Sequence, residues 1–117
     1  MADIYTTAGE EFVVDAIETA LSTPYIGWGT GAGTAAKGDT TLFTEASESR
    51  VAATDSQPDA STNQWDATIT ADGTKTITNA GVFDASSGGN LIVKGNFTGI
   101  PLTLGDKIAF TITLEQT

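Results

Sequence analysis

The stretch that decides the fold runs from Thr74 to Phe97 and reads TKTITNAGVFDASSGGNLIVKGNF. Two runs rich in threonine, isoleucine, valine and phenylalanine flank a polar turn, and these residue types suit a pleated, half-buried strand. Gly88 and Gly89 lie where the chain must reverse, and glycine readily adopts the positive φ that such a turn requires. The stretch therefore predicts a long β-hairpin at the centre of the fold.

Further strands are predicted on both sides of this hairpin. Tyr25–Gly29, Gln64–Ala71 and Lys107–Leu114 each alternate apolar and polar residues, the last most regularly. Asp72-Gly73 is predicted to form a second hairpin turn. The sequence thus predicts a single domain over residues 1–117, mainly β, built as an antiparallel β-sandwich or small barrel with one short N-terminal amphipathic helix.

The N-terminal part is predicted to be an extended segment over residues 1–8, followed by a helix over residues 9–22. Apolar residues recur at helical spacing through this helix, and Pro24 ends the run. Thr7 and Glu10 fit a capping box. The apolar face of the helix is expected to pack on the β core, with docking of a partner as the alternative.

Residues 29–64 form a long polar arm, called the polar arm below, with Leu42 and Phe43 as its main apolar anchors. A turn or short helix around residues 40–46 is expected to bury them, followed by a strand around 49–54 and a polar loop over 55–63. A structureless segment of this length is unusual inside a domain. The polar arm is therefore expected to reach a neighbouring subunit, and residues 65–117 to supply the main antiparallel strands.

Composition narrows the range of functions. Fifteen acidic residues face five basic ones, giving a net charge of −10, and eleven of the acids precede residue 67. Nucleic-acid binding is disfavoured because it depends on lysine and arginine. The negative charge has two interpretations, a soluble surface or a face presented to a basic partner. Synthesis in the cytoplasm without a membrane span is expected, because neither a signal peptide nor a long apolar run is recognised.

No catalytic residue, cofactor or metal ligand is predicted. The chain contains neither cysteine nor histidine, which removes thiolate and imidazole chemistry. The glycine run from Gly29 to Gly33 does not satisfy a phosphate-binding motif, and its missing side chains favour close approach of another backbone. Asp84, with Ser86 and Asn90, could offer oxygens to calcium, but the spacing does not fit an EF-hand and a turn cap is the simpler interpretation.

Several aromatic and charged residues are candidates for binding a partner. Trp28 and Trp65 could stack on sugars or bases, although their strand positions favour burial in the core or between subunits. Arg50, the only arginine, is predicted to pair with Glu45 or Glu48, and arginine is also enriched at interfaces. The residues predicted to contact a partner are Ile4, Tyr5, Trp28, Leu42, Phe43, Arg50 and Trp65.

The order of several short motifs carries a family resemblance. The most specific is Ile-Thr-x-Ala-Gly-x-Phe-Asp at Ile77–Asp84, accompanied by Ile26–Gly31, Asp39–Leu42 and Gly88–Leu91. Over about residues 25–115 the chain resembles small virion proteins of tailed bacteriophages, including capsid decoration (cement) proteins, and a related pattern occurs in tail-collar and tail-fibre domains. The chain departs from that pattern at Asn79, where an acid is common, and in the wider spacing of its acid–arginine pair.

The resemblance implies a structural role without catalysis or cofactor. The first expectation is a capsid decoration protein on the outer surface of the virion shell, which binds the major capsid protein, associates as a homotrimer and stabilises the shell. The short chain favours this role, because fibres usually carry repeats or a shaft. The alternative is a tail-collar or tail-fibre module that recognises host glycans or proteins through Trp28, Trp65 and the acidic loops.

Overall fold

The computed structural model describes residues 3–116, which form a β-sandwich of two antiparallel sheets with one helix. The helix is α1 (Thr7–Ala20), and the strands are β1 (Tyr25–Gly29), β2 (Val51–Ala52), β3 (Thr54–Asp59), β4 (Thr62–Thr70), β5 (Lys75–Phe83), β6 (Leu91–Leu102) and β7 (Lys107–Glu115). One sheet has the order β2-β1-β5-β6 and the other β3-β4-β7. The predicted mainly-β fold with a short N-terminal helix is confirmed, and it is a sandwich, not a closed barrel.

The central hairpin is confirmed as β5 paired with β6, from Lys75 opposite Leu102 to Phe83 opposite Leu91. Gly88 and Gly89 have φ values of 63° and 69°, the left-handed conformation expected of glycine in this turn. The second sheet has an equally long pairing, because β4 and β7 stay in register along their whole length. These two pairings fix most of the sandwich.

The prediction of a hairpin at Asp72-Gly73 is wrong. The strands on either side, β4 and β5, belong to different sheets, so the chain crosses between the sheets at this point. The Ala71 N–H donates to the Asp106 carbonyl at 2.7 Å, and the Gly105 N–H donates to the Ala71 carbonyl at 3.0 Å. The dipeptide correctly marks a chain reversal, but the partner of each strand is set by these long-range bonds.

Helix α1 begins two residues earlier than predicted, because Thr6 caps it in place of Thr7. The Thr6 hydroxyl accepts a hydrogen bond from the Gly9 N–H at 3.0 Å. Val14 is fully buried, and the Asn63 side chain donates to its carbonyl at 3.3 Å. Phe12 lies on the predicted apolar face but is 75% exposed. Only the second half of the helix therefore packs on the sandwich.

The polar arm folds back on its own sandwich and is ordered there, and its contact with a neighbouring subunit stays a prediction. The Thr30 N–H donates to the Thr44 carbonyl at 3.0 Å, and the Ala46 N–H donates to the Trp28 carbonyl at 3.0 Å. Leu42 is buried where the polar arm packs on the sandwich, as predicted.

The predicted polar loop over residues 55–63 is also wrong, because most of it is strand β3 and the start of β4. Pro58 lies within β3, which is an edge strand. Proline is tolerated on such an edge because its missing N–H is not needed for pairing.

The core lies between the two sheets and is closed at one end by the second half of α1. Its fully buried large side chains are Trp28, Trp65, Ile26, Ile69, Ile77, Val14 and Val82. Within residues 3–116, no helix has the length and apolar character needed to cross a membrane.

Candidate interaction surfaces

Arg50 joins the polar arm to the turn between β5 and β6. Its guanidinium meets the Glu45 carboxylate at two points, Nε to Oε2 at 2.8 Å and Nη2 to Oε1 at 2.9 Å. Nη1 donates to the carbonyls of Ala85 and Gly88 at 2.9 and 2.8 Å. The group also lies 3.4 Å above the centre of the Phe83 ring. The predicted ion pair with Glu45 is confirmed, and it ties down the turn of the central hairpin.

Asp84 caps the same turn from inside. Its carboxylate accepts from the Asn90 backbone N–H at 2.7 Å and from the Asn90 side-chain amide at 2.9 Å. The backbone hydrogen bond, and next the side-chain bond, hold the pKa of Asp84 below its usual value. The turn-cap interpretation is confirmed, and no group of three acidic side chains suited to a metal occurs in residues 3–116.

Glu48 anchors the polar arm to the core through Trp28 and to the crossing between the sheets. It accepts from the Trp28 indole N–H at 2.8 Å and from the Asp72 N–H at 2.9 Å, and it pairs with Lys75. Burial alone would raise the pKa of Glu48, but the hydrogen bonds from Lys75, Asp72 and Trp28 outweigh it and lower the pKa to about 2. Glu48 therefore stays ionised and stabilises the crossing between the two sheets.

Asn79 occupies the variable third position of the motif at Ile77–Asp84 and binds the polar arm at two points. Its side-chain oxygen accepts from the Phe43 N–H at 3.0 Å, and its side-chain nitrogen donates to the Phe43 carbonyl at 3.1 Å. A carboxylate could make only the first of these bonds, because it has no hydrogen to donate. Asn at this position thus matches both backbone groups of the polar arm.

Glycines at the end of β1 and just after it make room for this backbone. A Cβ on Gly29 would overlap the Phe43 carbonyl oxygen, and one on Gly31 would lie 2.8 Å from the Phe43 carbonyl carbon. The close backbone approach predicted from the glycine run is confirmed.

Lys94 of β6 binds the polar arm to the four-stranded sheet. Its ammonium lies 3.3 Å from the centre of the Phe43 ring, 2.9 Å from an Asp39 carboxylate oxygen and 2.8 Å from the Thr41 carbonyl. Its side chain is almost fully buried by these contacts. The outer face of the four-stranded sheet is consequently covered by the chain's own polar arm.

A partly buried carboxylate, that of Asp55, lies on β3 near α1. One oxygen of Asp55 is buried without a hydrogen-bond partner among the described residues. Burial, and next the negative charge of Glu18, raise the pKa of Asp55. The Gln57 side chain bridges Asp15 and Glu18 of the helix nearby, with a nitrogen-to-oxygen distance of 3.1 Å to Asp15. The Gln57 contact links the helix to β3, and the Asp55 carboxylate on the same strand is partly desolvated.

The seven residues predicted to contact a partner do not form one surface. Trp28 and Trp65 are 1% and 0% exposed and belong to the core, which removes them as stacking platforms for sugars in this conformation. Leu42, Phe43 and Arg50 hold the polar arm in place. Ile4 and Tyr5 differ, because they are 84% and 45% exposed. They remain the candidates for contact with another molecule.

An open apolar groove lies along one side of the sandwich, between β6 and β7. These strands are the free edges of their respective sheets, and the groove between them encloses about 520 Å³. Phe110 lies between Trp28 and Phe97, with ring centres 6.1 and 6.5 Å away, so it links the core to the groove. The side chains that line the groove and are only partly buried are Val93, Phe97, Ile100, Ile108, Phe110 and Ile112.

Sequence reasoning did not single out this groove. The alternation of β7 predicts an apolar face, and that face is present. The sequence does not indicate that β6 and β7 both end their sheets, so it cannot show that the face is left partly uncovered.

The fold and these contacts define a class: a small β-sandwich module whose charged groups fasten its own loops and whose apolar groove is open. A family model described as podophage GP4 fiber I protein gp80 matches residues 9–114. The chain belongs to this family and is a fibre-related bacteriophage virion protein. Among curated proteins, none matches the chain.

Proposed function

We propose that this protein is a structural module of a phage tail fibre and acts there as a homo-oligomer, a trimer being the expected form. The observation that carries this proposal is the family match over residues 9–114, whose description names a fibre protein. It favours the tail-fibre alternative over the capsid decoration role that the short chain suggested.

The contacts of the described residues support a passive structural role. Asn79 and Lys94 fasten the polar arm to β5 and β6, while Arg50 and Glu48 of the arm bond the β5–β6 turn and Trp28 of β1. Such cross-links suit a module that must keep its shape outside the cell. We further propose that the protein is not an enzyme, since the chain has no histidine or cysteine.

Labelling of intact virions tests the location. Gold-labelled antibodies raised against the purified protein are expected to mark the tail in electron micrographs. Label confined to the capsid shell would overturn the fibre role and support decoration of the major capsid protein. Virions of an unrelated phage provide the control for non-specific label.

Sedimentation analysis of the purified protein tests the assembly. A species three times the 12.0 kDa chain mass is expected at concentrations of tens of micromolar. A different multiple would correct the trimer while leaving the fibre role in place. A monomer at every concentration would overturn the homo-oligomer.

A further inference from the structure

We propose that the N-terminal tip of one copy, residues 3–12, packs into the β6–β7 groove of a neighbouring copy. This inference rests on the proposed function in one respect, that copies of the chain assemble with one another. It names the surfaces that make the contact.

The tip is apolar and projects from the sandwich. Ile4, Tyr5 and Phe12 are three of the six large apolar side chains that are exposed among the described residues. The molecule measures 53 × 26 × 23 Å, whereas its longest strand, of twelve residues, can span at most about 40 Å. Val14 is the one residue of α1 that is fully buried, whereas Phe12 and the two residues Ile4 and Tyr5 before the helix are exposed. The first turns of the helix and the segment before them are therefore free to reach another molecule.

The groove has the complementary shape. Its walls carry phenylalanine and isoleucine side chains that the fold leaves partly exposed, and Ile100 among them is 39% exposed. β6 and β7 each pair with one strand only, so the other edge of each strand is free. An extended segment is the kind of ligand that such an edge accepts through backbone hydrogen bonds. Residues 3–6 lie outside the helix, and Thr6 has an extended backbone.

Charge complementarity favours a second copy as the occupant. The tip carries Asp3, Glu10 and Glu11 and no basic residue. The two groove strands carry Lys94, Lys107 and a single acid, Glu115, in a chain whose net charge is −10. Lys94 already pairs with Asp39, whereas Lys107 is exposed and makes no ion pair within the described part of the chain. Lys107 is thus available to an acidic tip.

Disulfide trapping tests the contact directly, because the natural chain has no cysteine. Tyr5→Cys and Ile100→Cys chains, one of them carrying a mass tag, are purified separately, mixed at equal concentration and oxidised mildly. Any mixed disulfide must then join two molecules. We expect mixed dimers at least fivefold above those formed when Ile100→Cys is replaced by Ser87→Cys, which lies exposed in the β5–β6 turn. Equal yields for the two pairs would overturn the proposal.

Sedimentation of surface variants gives an independent readout. Ile4→Ser combined with Tyr5→Ser, and separately Ile100→Ser, are expected to weaken self-association at least tenfold. Leu104→Ser removes another exposed apolar side chain, outside the groove, and is expected to leave it unchanged. Far-ultraviolet circular dichroism verifies that each variant is folded. Association unaffected by the tip variant, or a wild-type chain that stays monomeric, would overturn the contact.

Two lysine substitutions test whether Lys107 attracts the acidic tip. Lys107→Glu and Lys37→Glu change the net charge equally, but only Lys107 lies on a groove strand. The first is expected to weaken association more than the second, and equal effects would count against the assigned groove. The virion location is judged separately by antibody labelling. Tail label with no tip–groove disulfide therefore overturns this inference alone, and capsid label overturns the fibre role alone.

Discussion

Arg50 and Glu45 form a two-point ion pair that reaches the turn of the central hairpin through the carbonyls of Ala85 and Gly88. The side chain of Arg50 is 7% exposed, whereas that of Glu45 is 35% exposed. Most of the stabilisation therefore comes from the buried, planar guanidinium, which bonds three partners and stacks on Phe83. The ion pair with the more exposed Glu45 contributes less. One side chain holds the polar arm, the hairpin turn and β5 together.

Replacing Arg50 with lysine is expected to lower the free energy of unfolding by about 2 kcal/mol, although the charge is kept. An ammonium can reach one of these partners but cannot reproduce the fork or the stack. Urea unfolding followed by tryptophan fluorescence measures the change. Lys37→Ala, at an exposed lysine without an ion pair within residues 3–116, should stay within about 0.5 kcal/mol of wild type. Equal effects of the two substitutions would contradict the role of Arg50.

Replacing Glu48 with glutamine is expected to destabilise the protein at neutral pH by about 2 kcal/mol, because it turns a charged acceptor of three donors into a neutral group. The pKa of Glu48 is lowered from 4.5 to about 2 in the folded protein. Its stabilisation is therefore fully present above pH 4.5 and is lost as the pH falls toward 2. The difference between wild type and E48Q should shrink over this window.

Thermal unfolding of both proteins across a pH series measures this difference. Glu11→Gln neutralises an exposed helix acid and provides the control. A gap between wild type and E48Q that stays constant from neutral pH to pH 2 would show that the carboxylate's ionisation does not carry the effect.

The sequence predicted the central hairpin, β1, β4 and β7 because each carries its own signal, either alternation along the strand or paired glycines at a turn. It failed at Asp72-Gly73, since a turn motif reports a local reversal and not which sheet the next strand joins. It did not predict the course of the polar arm, because Asn79 and Lys94 hold that segment from positions far away in sequence, and Arg50 within it bonds the distant carbonyls of Ala85 and Gly88. Of the candidate contacts, Ile4 and Tyr5 were predicted to bind a partner and are exposed, but the groove depends on strand order, which no local pattern records.

Replacing Asp55 with asparagine is expected to stabilise the protein at neutral pH, by about 0.5–1 kcal/mol. The pKa of Asp55 is raised by burial and by the charge of Glu18, so the ionised form is disfavoured in the fold. The wild-type chain loses stability as the pH rises through the folded-state pKa, and this loss is absent below the usual value of 3.8. The advantage of D55N should therefore vanish in acid.

Asp59→Asn, on the same strand, provides a control of opposite sign. The Ser61 backbone N–H, and next its hydroxyl, donate to Asp59 and lower its pKa, so neutralising it removes a favourable charge. Denaturant unfolding at pH 7 should show D55N above wild type and D59N below it. A lower stability for D55N than for wild type would mean that the Asp55 charge is compensated in a way the contacts of α1 and β3 do not reveal.

Self-association is expected to strengthen as salt is added. Each chain carries a net charge of −10, so the copies repel one another as a whole. Salt at about 0.15 M screens this repulsion beyond about 8 Å. The attraction between the acidic tip and Lys107 is also screened, but it involves few charges, and burial of the groove side chains does not depend on ionic attraction. Sedimentation velocity from 20 mM to about 500 mM sodium chloride is expected to show a dissociation constant that falls with salt. A rising dissociation constant would instead indicate an interface held mainly by ion pairs, contrary to the apolar groove.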